Sequence, residues 1–295
     1  MILDGGLATQ LEAQGCDLGN ALWSASLLQS NPEAVVTATR AYLDVGAECV
    51  ATASYQASRE GFATRGMSAI EADELMLLSV ELAKRARDAF LKDNPGLGFA
   101  PLVAASIGPY GAMLHDGSEY SGDYGVTAET LRSFHASRLA LFDSCRADVL
   151  ALETIPSKLE AEVLADLLVE CSTPAWISFS CRDGAHVVDG TPLEGVAAMF
   201  ADHPTVVAVG INCTPPQFAP ELVARLRDAV PAKAIMAYPN SGETYHVEDN
   251  SWSGTVTPGD CAEAALAWVD AGAKIVGGCC RMGPEHIRAI RDALR

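Results

Sequence analysis

Eight short apolar runs punctuate the chain from end to end, at residues 2–3, 48–54, 102–107, 149–152, 175–180, 206–211, 234–238 and 275–276. Each has the length and composition of a buried strand, and helical patterns fill the intervals between them. Eight strand-plus-helix units in 295 residues average about 37 residues apiece, the size of a βα unit in a (β/α)8 TIM barrel. The competing arrangement is a doubly wound open sheet. It lacks support here, because Gly5-Gly6-Leu7 does not have the spacing of a phosphate-binding fingerprint at the first helix. No Pro-, Gly- or Ser-rich linker divides the chain, so one α/β domain over residues 1–295 is expected.

Helix signals agree with this spacing. Asn31-Pro32-Glu33 and Thr257-Pro258 place a capping residue before a first-turn proline. Ser68-Ala69-Ile70-Glu71 and Ser157-Lys158-Leu159-Glu160 match the capping box, in which a serine and a glutamate three residues on satisfy each other's backbone amides. The second of these helices sets Leu159, Val163, Leu164, Leu167 and Leu168 on one stripe, and the segment from Pro284 does so with Ile287, Ile290 and Leu294. Asp44-Val45-Gly46-Ala47 and Asp270-Ala271-Gly272-Ala273 end two helices in the same way. Connections at 108–125, 182–191 and 240–255 are long and polar, and they follow the third, fifth and seventh runs, on the face where barrels build active sites.

Thirty-eight acidic residues against 20 basic ones give a formal charge of −18, which argues against nucleic acid or an anionic membrane as partner. No apolar run approaches the roughly 18 residues that span a bilayer. The start Met1-Ile2-Leu3-Asp4 shows no basic segment followed by an apolar one, so no signal or transit peptide and a cytoplasmic location are expected. The nine cysteines then read as thiols or metal ligands, and their odd number leaves one over in any disulfide scheme. Oligomeric state is not legible in a single chain.

Two cysteine-bearing motifs stand out. Gly210-Ile211-Asn212-Cys213 ends the sixth run, and Val276-Gly277-Gly278-Cys279-Cys280 ends the eighth. Successive side chains on a strand point to opposite faces, so Cys279 and Cys280 share a target only if the backbone bends, which Gly277 and Gly278 would permit. Three thiolates with an open fourth position form a zinc site suited to chemistry, because structural zinc is closed by a fourth protein ligand. Cys16, Cys49, Cys145, Cys171 and Cys261 read as small packing residues, and Cys181, at the end of the fifth run, stays open.

These motifs carry a family resemblance. Asp4-Gly5-Gly6-Leu7-Ala8-Thr9-Gln10-Leu11-Glu12, Thr52-Ala53-Ser54-Tyr55-Gln56-Ala57-Ser58, Leu152-Glu153-Thr154, Gly210-Ile211-Asn212-Cys213, Tyr238-Pro239-Asn240-Ser241-Gly242 and Gly277-Gly278-Cys279-Cys280 together resemble the zinc-dependent homocysteine S-methyltransferases. The stretch Ser178-Phe179-Ser180-Cys181-Arg182-Asp183-Gly184 resembles the branch that uses S-methylmethionine or S-adenosylmethionine. The resemblance implies one Zn2+ per chain on Cys213, Cys279 and Cys280, which would present homocysteine as its thiolate to a methylated sulfonium donor. A free thiol of pKa about 8.5 is mostly protonated at neutral pH, whereas one on zinc is deprotonated. It further implies that Asp4 and Glu153 hold the homocysteine amino group.

Backbone amides around Gly5, Gly6 and Leu7 are candidates for the substrate carboxylate, since glycine permits close approach. Asn240 is either the fourth zinc ligand before substrate arrives or a turn residue. Trp23 and Tyr55 follow the first two runs and offer aromatic faces to a sulfonium, or pack at the rim. No histidine has metal-ligand spacing, and His286 is the one nearest the cysteines. Two alternatives remain: the same chemistry with betaine or a methylated cobalamin as donor, and a non-catalytic thiol protein that stores zinc or senses redox state. Donor choice is expected to lie in the loops after the second and third runs.

Overall fold

The computed structural model describes residues 1–19, 23–246, 251–254 and 256–295, and at 23, 244–246 and 251–253 the backbone alone. Its strands are β1 (Cys49–Ala51), β2 (Leu102–Ile107), β3 (Val149–Ile155), β4 (Ala175–Phe179), β5 (Val206–Asn212), β6 (Ala234–Tyr238), β7 (Thr244–His246), β8 (Ser251–Ser253) and β9 (Ile275–Val276). Seven of them form one parallel sheet in the order β1-β2-β3-β4-β5-β6-β9, so spatial order follows chain order. That is the outcome of right-handed crossovers through outer helices.

Residues 2–3 lie between the two edges of this sheet. Ile2 bridges Val276 and Leu3 bridges Cys49, both parallel. Leu3 N–H donates to Val276 O at 2.8 Å and Asp4 N–H to Cys49 O at 3.1 Å. The α/β class is as expected, but the first of the eight expected strands is reduced to isolated bridges. Asp4 and the two glycines after it turn the chain at once into the helix Leu7–Ala13, so no repeating ladder has room to form. A second departure is the antiparallel pair β7–β8, which lies within the connection read as loop at 240–255.

Two apolar clusters follow from the curl of the sheet. The smaller contains Leu3, Cys49, Ala104, Val149, Ala151, Trp176, Ala208, Met236, Tyr238 and Ile275, drawn from the start of the chain and from each strand of the large sheet. The larger lies between the opposite sheet face and the helices. The long helix Ala69–Asp93 shows how the outer layer is made: Ala72, Met76, Val80, Ala83, Ala86 and Phe90 are buried at helical spacing. Fully burying one such large side chain contributes about 1.5–3 kcal/mol. Its start is the expected capping box, with Glu71 N–H donating to Ser68 Oγ at 3.3 Å and Ser68 N–H to Glu71 Oε2 at 2.8 Å.

The other expected capping box is only half made. Glu160 N–H donates to Ser157 Oγ, but the Glu160 carboxylate is fully buried and turned to other partners. Leu159 is accordingly 42% exposed rather than part of the buried stripe of the helix Lys158–Leu168, which is formed by Ala161, Val163, Leu164 and Leu168. Among the described residues no helix is long and apolar enough to cross a membrane.

Candidate active site

The period of two along each strand builds the site. Where Ala104, Ala151, Trp176 and Met236 point into the inner cluster, the residues two positions on are Ser106, Glu153, Ser178 and Tyr238, and Asn212 stands four beyond Ala208. A buried polar layer therefore caps the apolar interior at the carboxyl ends of the strands. Its members satisfy one another: Ser106 Oγ donates to Glu153 Oε1, Tyr238 OH to Glu153 Oε2 at 3.0 Å, and Trp176 Nε1 to Tyr238 OH at 3.2 Å. Asn212 Oδ1 accepts from Thr154 N–H at 2.7 Å, and its Nδ2 donates to Thr154 Oγ1 at 2.7 Å.

Backbone distortions sit at this rim. Between Leu152 and Ile155 the β3–β4 register shifts, and Thr154 adopts a left-handed φ of 63°. Such a bulge re-aims the residues around it. Cys213 has a φ of 46°, a conformation that costs a non-glycine residue of order 1–3 kcal/mol. The turn is fixed by Thr214, whose hydroxyl donates to Asn212 O and accepts from Cys181 N–H, each at 2.9 Å. Cys181 is thereby tied into the core beside the site and is not one of the clustered sulfurs.

Cys213, Cys279 and Cys280 come together with their sulfurs all within 4.8 Å of one another, the Cys213–Cys280 pair at 3.8 Å. A tetrahedral zinc with bonds of about 2.3 Å sets its sulfurs about 3.8 Å apart, so this donor set fits such an ion. Cys279 and Cys280 do share a target although neither Gly277 nor Gly278 has a positive φ. The strand ends at Val276 and Arg281 takes the left-handed turn, with a φ of 66°. Glycine is required for close approach instead. A Cβ on Gly277 would lie 2.6 Å from Leu3 Cβ, and one on Gly278 would lie 2.6 Å from Met282 Cβ. Contacts with the Cys213 and Cys279 thiols hold Cys280 well below the usual thiol range. Cys213 is pushed up by its contacts with the other two thiols and then by burial.

Asn240 lies against both cysteine motifs. Its N–H donates to Thr214 O at 3.1 Å, while Pro239 O accepts from Cys279 N–H at 2.9 Å and Ser241 N–H donates to Cys280 O at 3.1 Å. Asn240 Oδ1 is buried without a hydrogen-bond partner. An orphaned acceptor wedged between metal-type donors is what a further metal contact would satisfy. His286 does otherwise, accepting from Gly283 N–H at 3.2 Å to close the start of its own helix. Among the described residues the three cysteines are the group that meets metal-ligand spacing.

Asp4 and Glu153 are both buried. Asp4 Oδ2 accepts from Ala51 N–H at 2.7 Å, yet burial pushes its carboxyl up to about 8, with the Glu153 charge adding to the effect. Burial likewise pushes Glu153 up to about 7, despite its bonds to Ser106 and Tyr238. Two acids held without a cation in a dry site are poised to receive one. The Gly6 N–H is already paired with Met282 O at 2.9 Å, so of the amides expected to meet a carboxylate this one is engaged. A Cβ on Gly5 would come within 2.2 Å of that same carbonyl.

Tyr55 is delivered by the motif before it. Thr52 Oγ1 accepts from Ser106 N–H and Ser54 Oγ donates to Ser106 O, which pins the chain to β2. Tyr55 O then accepts from Gly108 N–H at 3.0 Å and from Arg138 Nη2 at 3.1 Å. Burial holds its phenol well above the usual range, the charge of Cys213 adds to this, and a hydrogen bond with the Thr154 side chain works against it. The Trp23 side chain lies outside the described residues.

Some residues of the site carry no role in the sequence reading: Ser106, Thr154, Ser178, Asn212, Tyr238, Glu119 and Tyr120. For the strand residues a signal exists, namely a polar residue two positions beyond an inward apolar one. For Glu119 and Tyr120, inside a long connection, no period applies.

Comparison with known proteins agrees with this geometry. The family described as homocysteine S-methyltransferase matches residues 1–294. The homocysteine S-methyltransferase YbgG of Bacillus subtilis (strain 168) is 46% identical over 293 residues, covering 98% of this chain and 93% of that protein. Homocysteine S-methyltransferase 2 of Zea mays is also 46% identical, over 100% of this chain and 89% of its own. The metallated form of the homocysteine methyltransferase MmuM from Escherichia coli superposes with a TM-score of 0.89 at 42% identity, covering 99% of this chain and 95% of that one.

Proposed function

The chain belongs to the homocysteine S-methyltransferase family, and from that premise we propose that it moves a methyl group from a sulfonium donor to the sulfur of L-homocysteine, giving methionine. S-methylmethionine is the favoured donor and S-adenosylmethionine a less efficient one. The observation that carries this reading is the set of three sulfurs within 4.8 Å at the strand ends, flanked by the buried acids Asp4 and Glu153.

One Zn2+ held by Cys213, Cys279 and Cys280, with Asn240 Oδ1 supporting it before substrate binds, would supply a deprotonated and still nucleophilic substrate thiol at neutral pH. The protein's own groups do the rest. Asp4 and Glu153 take the homocysteine ammonium, and Ser106 and Tyr238 keep the Glu153 carboxylate aimed at it. The amides of Gly5 and Leu7 take the substrate carboxylate, that of Gly6 being held by Met282 O. Tyr55, with Trp23 as the second candidate ring, presents an aromatic face to the sulfonium. The homocysteine sulfur forms the new S–CH3 bond as the donor's S–CH3 bond breaks, and the electron pair of that bond leaves on the donor sulfur as a neutral thioether. The proton lost by homocysteine goes to solvent.

We read residues 2–3 as the first strand of a (β/α)8 barrel forming one domain over 1–295, on the strength of their bridges to both sheet edges. The net charge of −18 supports small-molecule substrates rather than nucleic acid or a membrane surface, and nine free cysteines among the described residues suit the cytoplasm. The test is direct. Purified protein is analysed for zinc and then given homocysteine with each donor in turn. About one zinc per chain and methionine from S-methylmethionine are expected. Methionine from betaine alone would overturn the donor, and full activity after rigorous chelation would overturn the activated thiolate.

A further inference from the structure

We propose that Glu119, together with the rings of Tyr55 and Tyr120, forms the counter-charge subsite that receives the cationic end of the methyl donor and selects net-positive donors over zwitterionic ones. The proposal rests on the methyl-transfer reading above and adds to it the residue that recognises the second substrate.

Glu119 lies in the short turn Ser118–Tyr120, within the connection between β2 and the helix Ala128–Ser144. Its Oε2 is buried and has no hydrogen-bond partner. Burial raises the carboxyl to about 6 against a lowering bond from its own backbone N–H, and the like charge of Asp116 raises it further, so what the acid meets in its own loop is one amide and a second acid rather than a cation. A buried carboxylate left in this state costs the fold free energy unless something bound compensates it.

The connection that carries it packs against the Tyr55 segment, where Tyr55 O accepts from Gly108 N–H at 3.0 Å and Gln56 Nε2 donates to Ala112 O at 3.1 Å, and the Glu119 charge acts on Tyr55, Tyr120 and Cys280. Both tyrosines also feel Cys213. Carboxylate, rings and sulfurs therefore lie within reach of one another's charge, with Tyr120 40% exposed to solvent. The turn is built to hold this position. A Cβ on Gly111 would lie 2.5 Å from the Glu119 nitrogen, so glycine there lets the turn pack down.

Glu160 anchors the base of the same connection. It accepts from Tyr110 N–H at 2.6 Å and Tyr124 OH at 3.0 Å, and it pairs with His135 Nε2 at 2.7 Å. Arg138 Nη1 donates to Gly108 O at 2.9 Å. The acceptor's ammonium already has Asp4 and Glu153. A second substrate that also carries positive charge needs a second anion, and Glu119, whose Oε2 is buried without a hydrogen-bond partner, supplies it. Betaine, whose carboxylate lies beside its cation, would meet repulsion there.

The test uses the zinc-loaded enzyme and its Glu119→Gln variant, which keeps the shape and removes the charge. The KM for S-methylmethionine should rise about ten- to a hundredfold, the range for losing a hydrogen bond to a charged group. The KM for homocysteine and the zinc content should stay within about twofold, and E119D should fall between the two enzymes. The preference for S-methylmethionine over betaine should shrink. An unchanged donor KM, or a rise confined to homocysteine, overturns the subsite while leaving the methyl-transfer reading intact. Should E119Q fail to fold, E119D carries the same comparison. If the wild type makes no methionine from any sulfonium donor, that reading fails separately. Calorimetric titration with S-methylmethionine alone then decides: binding that E119Q weakens supports the subsite, and equal or absent binding overturns it.

Discussion

The cysteines and buried acids of the site stand at strand ends, whereas Glu119 hangs from a loop. Cys213 follows β5 directly, Glu153 lies within β3, Asp4 follows the bridge at Leu3, and Cys279 N–H is held by Pro239 O just beyond β6. Glu119 stands a dozen residues past the end of β2, in a connection held by the buried carboxylate of Glu160 at Tyr110 and Tyr124, by the Arg138 guanidinium at Gly108 and by Gln56 Nε2 at Ala112. A rigid half can fix a metal-type donor set to within the tolerance that coordination needs, while an anchored loop can vary its contacts without disturbing that set. In the proposed roles, chemistry rests on strand ends and donor choice on a loop.

The largest effect that would break this picture is on the rigid side. Replacing Cys213, Cys279 or Cys280 by alanine should remove the metal and reduce methionine formation to below about 1% of wild type, since both thiol ionisation and its positioning are lost. Metal analysis beside the activity assay checks it, and retained zinc with lost activity would separate the two roles. Next comes Glu153→Gln. It should raise the homocysteine KM about ten- to a hundredfold while leaving the donor KM nearly unchanged, as steady-state kinetics with each substrate varied would show.

Glu160→Gln sharpens the comparison from the loop side. Glutamine keeps one acceptor oxygen for partners that now use two, so the connection should loosen. The expected result is a rise in donor KM of about three- to tenfold and a stability loss of about 1–3 kcal/mol, with zinc content unaltered. An equal rise in both KM values would mean that the two halves are not independent.

The smallest effect is one of sign. Asp4 in the folded protein holds its proton up to about 8, against an ordinary value near 3.8, and Glu153 holds its own up to about 7. Between those limits the folded state binds protons that the unfolded state has lost, so their contribution to stability is fully present below about pH 4 and declines as pH rises toward 8. Asp4→Asn should therefore raise the Tm of the substrate-free protein at pH 8 and change it less at pH 5. A lower Tm at pH 8 would show that the acid is instead stabilising through its bond to Ala51.

Legibility in the sequence followed the same division. Cys213, Cys279 and Cys280 announced themselves because thiols beside glycines at the ends of apolar runs suit metal binding better than they suit packing. The polar layer of Ser106, Ser178, Asn212 and Tyr238 followed the strand period but needed the inward face to be known first. Glu160 shows where local reading fails. Its spacing from Ser157 is that of a capping glutamate, as at Ser68 and Glu71, yet its carboxylate is drawn inward by three partners supplied from Tyr110, Tyr124 and His135.

The sequence by itself determined the strand-and-helix alternation, the outer helix faces and the thiol chemistry, because each depends on residues within a few positions of one another or on the nature of a single functional group. Only the tertiary structure decided that residues 2–3 would join the two sheet edges, that Gly277 and Gly278 would pack closely on Leu3 and Met282, and that Glu119 Oε2 would be buried without a hydrogen-bond partner. Those outcomes depend on the curl of the sheet, which brings together groups as far apart in the chain as Leu3 and Val276.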